Sequence, residues 1–208
     1  MISMKKPLLF FTLLAMLYCS PTAGGQQIKA DVRYLPMLET MQSEAGVTSS
    51  FANGVAVGLG ACYYYGHRIG FDVAADYMCV LAGSDNGDSY RQHAIVAPLQ
   101  VNFSFMRLGY SGPLVFIYGG PTLEYGLASS VKNANGDSVD LYAAEAGQNR
   151  FNAYLGAGIG ISYRRMFAFK AGYETSLLNV YRGPETNFAS RKVLTLGLSI
   201  TLAPFRKY

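Results

Sequence analysis

The sequence predicts an all-β fold: an eight-stranded antiparallel up-and-down transmembrane β-barrel with a polar, side-chain-filled interior. Three observations carry that prediction. Of 208 residues, 14% are charged and 50% hydrophobic, where an average soluble domain is roughly 25% charged. Beyond residue 25 no apolar run approaches the roughly 18 to 20 residues that a spanning helix needs, so the mean hydropathy of +0.16 does not come from a helical bundle. Eight successive stretches alternate apolar with polar or small residues at period two, the pattern of strands with two unlike faces. The 23 Gly, 16 Tyr and 12 Phe, with no Trp, suit strands and tight turns and exclude a long disordered chain. The length suits one domain.

Residues 1–25 stand apart from the rest. Lys5 and Lys6 form a charged start, residues 8–17 an apolar run too short to span, and Thr22-Ala23-Gly24-Gly25 a small-residue site for signal peptidase. This predicts a cleaved secretory signal at 1–25 and a barrel over 26–208, exported to the outer membrane of a diderm bacterium. Cys19 invites a lipoprotein reading, but Tyr18 occupies a position where a lipobox wants a small residue. Losing the two lysines with the signal takes the net charge from +4 to +2, which offers nucleic acid nothing to bind. Cys62 and Cys79 have no metal-ligand spacing around them and read as buried free thiols, not as a disulfide framework.

The strands are expected near 28–35, 54–64, 69–79, 94–105, 114–127, 151–164, 167–177 and 193–202. The first sets Ile28, Ala30, Val32 and Tyr34 against Lys29, Asp31 and Arg33. In the third, Ile69, Phe71, Val73, Ala75 and Tyr77 oppose Asp72 and Asp76; in the fourth, Ile95, Leu99, Val101 and Phe103 oppose Gln100, Asn102 and Ser104. The fifth carries Val115, Ile117, Leu123, Tyr125 and Leu127 opposite Glu124, with parity unbroken across Gly119-Gly120-Pro121. Pro98 and Pro121 each remove a ladder donor, so a local bulge or a lost hydrogen bond is expected. The sixth sets Leu155, Ile159, Ile161 and Tyr163 over a row of glycines ending in Ser162 and Arg164, and the seventh sets Phe167, Phe169, Ala171 and Tyr173 over Lys170, Gly172 and Glu174. The eighth alternates Leu194, Leu196, Leu198, Ile200 and Leu202 with Thr195, Gly197, Ser199 and Thr201.

Connections after the second, fourth and sixth strands are short. Those near 36–53, 80–93, 129–150 and 178–192 are longer and polar. Strict alternation of short and long is the habit of an outer-membrane barrel with periplasmic turns and extracellular loops. The 129–150 loop is long enough to be functional, but its composition names no ligand.

A soluble eight-stranded calyx that binds a ligand against an inward apolar face would alternate in the same way. Three features favour the membrane. Strand charges gather on one face, with Lys29, Arg33, Arg164 and Lys170 matched by Asp31, Asp72, Asp76, Glu124 and Glu174. Glycines share that face, as a narrow lumen filled by a few long side chains requires. Aromatics such as Tyr63 to Tyr65, Phe103, Phe105, Tyr163, Phe167, Phe205 and Tyr208 recur near strand ends as interfacial girdles. The polar filling is then expected to replace a hydrophobic core.

An outer-membrane lipid hydrolase or acyltransferase would need His, Ser and a carboxylate together. His67 falls in a short turn and His93 at a strand start with no suitably placed Ser; both read as solvated histidines. Asp72 and Asp76 could serve as acid and base, yet the lysines and arginines of the same lumen make ion pairing the stronger reading. Eight strands leave no aqueous channel. No catalytic, metal or cofactor residue is assigned.

The signal peptide, the Gly-Gly-Pro-Thr-Leu-Glu-Tyr run at 119–125, the Gly-rich 156–163 strand, Ala171-Gly172-Tyr173 and the aromatic end resemble the PorT-like outer-membrane β-barrel proteins, also grouped as small OmpX-type barrels. The resemblance covers essentially the whole mature chain. It implies outer-membrane lipid around the barrel and a structural or interaction role through extracellular loops. It also suggests an accessory role beside an envelope or secretion partner, since the family takes its name from a protein needed for secretion. Thr195, Gly197, Ile200 and Leu202 are similar to the C-terminal signal read by the barrel assembly machinery. The departure is that residues 203–208 follow, displacing the usual terminal Phe.

Overall fold

A computed structural model describes residues 26–43, 46–65, 68–83, 88–106, 112–133, 137–143, 147–163, 166–181 and 186–203. The expected signal peptide, Arg164, the turn at Gly66 with His67, and the aromatic end with Phe205 and Tyr208 lie outside the described residues. The strands are β1 (Gln26–Ser43), β2 (Gly46–Tyr65), β3 (Ile69–Gly83), β4 (Ser89–Ser104), β5 (Leu114–Lys132), β6 (Ser138–Asp140), β7 (Phe151–Tyr163), β8 (Phe167–Ser176) and β9 (Thr186–Ala203). Every pairing is antiparallel. Because β1 pairs with both β2 and β9, and β4 pairs with β5, all strands but β6 close into a ring of eight; β6 hangs from the end of β5.

The two faces separate as the period-two pattern requires. Outward side chains such as Leu59 keep 60% of their surface exposed, while inward Asp76 keeps 2%. A calyx would place its apolar face inside; this barrel turns that face out, and the soluble reading is excluded. Ile28, Val32, Ile95, Ile159, Leu196 and their neighbours form the continuous apolar wall that lipid demands.

The structure corrects three expectations. The long connection at 36–53 does not exist: β1 and β2 pair without a break to Ser43↔Gly46. Strands of 18 and 20 residues are about twice the 9 to 11 needed to cross the bilayer. Ser49, Ser50, Thr40 and Thr48 remain good ladder residues in water even though the apolar alternation fades there. The same extension shortens the connections at 80–93 and 178–192, because β3 runs to Gly83, β4 starts at Ser89 and β9 starts at Thr186. Strict alternation of short and long therefore fails at the first hairpin.

The interior is also not polar throughout. Leu35, Met37, Ala56, Met78, Val80, Ala94, Val96 and Val193 form an apolar layer inside the ring. Medium-sized side chains that interdigitate fill a narrow lumen with little strain, and two methionines fit the irregular gaps.

The prolines act as expected, by local loss of pairing. The β3–β4 ladder skips from Val73↔Leu99 to Asp76↔Val96 around Pro98, and β4–β5 skips from Pro98↔Thr122 to Val101↔Gly119 around Pro121; neither changes register. At the second gap Gly120 adopts φ +154°, and a Cβ there would run into the Leu99 carbonyl. Only glycine allows β4 and β5 to approach so closely. Farther along β5 a register shift lies between His93↔Ala128 and Ala94↔Gly126. It leaves Leu127 and Ala128 both outward, and Ser129 inward.

Candidate functional site

Two polar clusters occupy the lumen, one on each side of the apolar layer. The proximal cluster lies toward the chain termini. Lys29 Nζ lies 2.7 Å from Asp72 and 3.1 Å from Asp31, while Lys170 on β8 reaches the same Asp72 at 2.7 Å and Gln100 at 3.1 Å. Ser199 donates a hydrogen bond to Asp31. Arg33 pairs with Asp76 at 2.5 Å. Asn102 lies above the Cys62 thiol at 3.9 Å, and Glu174 accepts from Thr195 at 3.4 Å. The residual cavity among these groups is about 20 Å³, room for little more than one water.

Small residues make the cluster possible. A side chain at Gly158 or Gly172 would strike the Tyr118 ring and hydroxyl, and one at Gly160 would strike Phe116. The inward glycines of β7 and β8 are therefore space for inward aromatics of β5. Lys170 stands 5.2 Å from the centre of the Tyr118 ring, a cation–π distance.

The distal cluster closes the other end around Arg191, which is 0% exposed. Its Nε donates to Glu39 at 2.6 Å, and its Nη1 lies 3.4 Å from Glu124 and 3.3 Å from the Tyr154 hydroxyl. Tyr154 and Gln92 both donate to Glu124, at 2.7 and 2.8 Å. Above them the chain after β6 folds into the mouth: Tyr142 accepts from Gln92 at 3.1 Å, and Gln148 bonds Ser129, Tyr90 and Tyr181. Tyr181 donates to Glu39 at 3.0 Å. Burial pushes the Tyr142 phenol up to about 12 and raises that of Tyr181 as well, so both stay neutral hydrogen-bonding groups. Part of the expected 129–150 loop is thus a stopper.

The structure brings Lys29, Asp31, Asp72, Gln100 and Lys170 together, pairs Arg33 with Asp76, and sets Asn102 and Glu174 nearby. It sends Glu124 to the other cluster. Of the residues set aside for assembly, Thr195 is inward while Ile200 and Leu202 are on the lipid wall, with Gly197 between β1 and β8. Sequence reasoning missed Glu39, Gln92, Arg191 and the tyrosines. The signal was present: Glu39 continues the parity of Lys29, Asp31 and Arg33, and Arg191 that of Ser199 and Thr195, past strand ends set too early.

Ser199, Asp31 and Lys29 do meet at the residual cavity of the proximal cluster, but its 20 Å³ leaves room for a water and not for a substrate. His93 shares a 2.5 Å hydrogen bond with Tyr77 on the outer wall and stacks on its ring. Among the described residues no His, Cys, Asp or Glu group is arranged to hold a metal. Cys62 and Cys79 are free thiols, the first buried and the second half-buried.

A closed ring with lipid-facing apolar walls and paired charges inside defines a membrane β-barrel of the outer-membrane type. Residues 37–182 match the family described as outer membrane protein beta-barrel domain, and the chain belongs to that family. It is a protein of the outer membrane of a Gram-negative bacterium. Among solved structures, Neisserial surface protein A is similar over 87% of this chain and 100% of its own, at 17% identity and a TM-score of 0.50. Ail of Yersinia pestis is similar over 86% of this chain and 99% of its own, at 11% identity and a TM-score of 0.45. The outer membrane enzyme PagL is similar over 80% and 98%, at 12% identity and a TM-score of 0.43. No curated protein matches the chain significantly.

Proposed function

We propose that this barrel is a non-enzymatic, non-conducting interaction protein whose binding surface is the strand extension beyond the membrane, with that distal end outside the cell. One observation supports this reading above others. The β1–β2 hairpin continues as a regular ladder to Ser43↔Gly46, far past the length needed to span, and ends in exposed Val47 and Phe51. A ladder that size is not needed to close a barrel. Among the described residues the lumen is filled by ion pairs and an apolar layer, which supports neither conduction nor turnover as its role. Outer-membrane lipid surrounds the wall. Insertion uses the barrel assembly machinery, which reads Thr195, Gly197, Ile200 and Leu202 on β9. In this reading the chain is a small barrel of the PorT-like or OmpX-type kind acting beside an envelope partner.

The test places a photo-crosslinking residue at Val47 in intact cells, with Leu198 on the lipid wall as control. A discrete protein adduct at 47 and none at 198 is expected. Equal adducts at both positions, or none at 47 and none at Val139 on β6, would overturn the proposal. So would steady conductance from the purified barrel in a planar bilayer.

A further inference from the structure

Outside the lumen, one concave site lies just beyond the apolar belt. It is an open cleft of about 740 Å³ on the outer wall of β2 to β6, lined by Phe51, Leu81, Ser89, Arg91, Ser130, Lys132 and Ser138 among others. Its two cations are held side by side by the ladder. Arg91 pairs with Ser130, and Ser89 with Lys132, so Arg91 and Lys132 are diagonal neighbours on one face, about 7 Å apart at Cβ. Both are exposed. Neither forms an ion pair with a carboxylate among the described residues, and no carboxylate lines the cleft.

The depth of the site is set by the strands. On the outer face of β4 the order is Ile95, His93, Arg91; Ile95 lies in register between exposed Tyr77 and Tyr125, with exposed Phe151 next in the row, an aromatic girdle at this end of the belt to which His93 is tied through Tyr77. Each outward step advances about 7 Å along the strand, or about 5 Å toward water for a strand tilted about 35 to 45°. Arg91 therefore stands one step beyond the girdle, within the headgroup layer, which adds about 5 to 7 Å to each side of the hydrocarbon. Ser89 and Ser130 offer hydroxyls beside the cations, and Leu81 offers an apolar floor that continues through Tyr77 to the belt. A fixed pair of cations with neighbouring hydroxyls, open toward lipid below and water above, matches a phosphate carried on acyl chains.

From this we propose that the cleft binds the phosphorylated headgroup of a lipid in the adjoining leaflet, with Arg91 and Lys132 gripping the phosphate and the acyl chains lying on the belt beneath. The proposal requires only that the barrel is in a membrane; the cleft shares Phe51 with the protein-interaction surface, but its test reads lipid retention alone and does not depend on that reading.

Native mass spectrometry of the whole folded barrel released from dodecyl maltoside tests it, with phosphatidic acid, diacylglycerol of the same chains, and inorganic phosphate as separate probes. Phosphatidic acid should be retained and diacylglycerol should not. Arg91→Gln/Lys132→Gln should weaken retention on the order of thirty-fold, at roughly five-fold per cation near an anionic surface. Both side chains are exposed, and the shift between unheated and boiled gel samples verifies that the variant is folded. Lys192→Gln, an exposed cation on β9, should change nothing. Undiminished retention by the double variant, an equal loss from Lys192→Gln, or diacylglycerol bound as well as phosphatidic acid would each overturn the proposal. Inorganic phosphate held as tightly as the lipid would replace the lipid with a soluble anion and overturn it too.

Discussion

Arg191→Met is the sharpest test of how the lumen is held together. The guanidinium is fully buried and is shared by Glu39 and Glu124, with Tyr154 a further partner. Methionine fills much of the same volume, so packing loss is small. What the substitution leaves behind is two carboxylates facing each other without their cation. Removing one member of a buried ion pair costs about 3 to 5 kcal/mol, and that is the expected loss. With a urea slope of about 1 to 3 kcal/mol/M, the midpoint should fall by more than about 1 M, read as the fraction of the compact gel band after equilibration in lipid vesicles. If the cost is stranded charge, adding Glu39→Gln and Glu124→Gln to Arg191→Met should recover at least about 2 kcal/mol, because the amides keep acceptors for Tyr181, Gln92 and Tyr154 without the charge. Lys192→Met, one residue away but outward, should stay within about 0.5 kcal/mol. An Arg191→Met loss below about 1 kcal/mol, or no recovery in the triple variant, would refute the account of the distal cluster.

Other outcomes follow from the same geometry. The folded barrel should migrate differently in unheated and boiled gel samples, and its mature chain should stay insoluble without detergent or lipid. Leu198→Arg on the lipid wall should cost about 2 to 4 kcal/mol, whereas Ser199→Ala, which removes the hydrogen bond to Asp31 and leaves Asp31 its contact with Lys29, should cost about 1 kcal/mol in the same titration. Gly160→Val should lose about 1 to 3 kcal/mol through overpacking against Phe116; the double variant with Phe116→Ala should lose less than the sum of the two single losses, and strict additivity would contradict the contact. In a background with Cys79 replaced by Ser, a cysteine at Val139 should react with an impermeant maleimide on intact cells, and one at Met166 only after permeabilisation.

The membrane-crossing part of the fold was readable because the lipid makes it so. Bilayer on one side and a filled lumen on the other force each residue to one face, and Val32 beside Arg33 or Leu198 beside Ser199 reports its side directly. Beyond the bilayer that constraint ends. Val47, Thr48, Ser49, Ser50 and Phe51 are all exposed, so the ladder that joins them to β1 leaves no alternation to read, and the region passes for a loop. Register, not hydrophobicity, extends the strands there, and register is a property of the partner strand. The apolar layer was hidden for a different reason: Leu35, Met78 and Val80 look no different in type from wall residues, and only their parity relative to Asp31 and Asp76 marks them as inward.

The layering has a functional consequence. A lumen lined by charge from end to end could admit water along its length, and paired side chains would then have to compete with it. The apolar layer of Leu35, Met37, Met78, Val80, Val96 and Val193 separates the proximal pairs from the distal ones, so each cluster is solvated at most from its own end and each ion pair keeps the low dielectric that strengthens it. Ion pairs of that kind resist rearrangement, because moving one partner leaves the other buried and alone. The interior is therefore built for rigidity. Residues free to meet another molecule without breaking such a pair are those on the outer wall and the protruding ladders, and there Phe51, Arg91 and Lys132 stand exposed together.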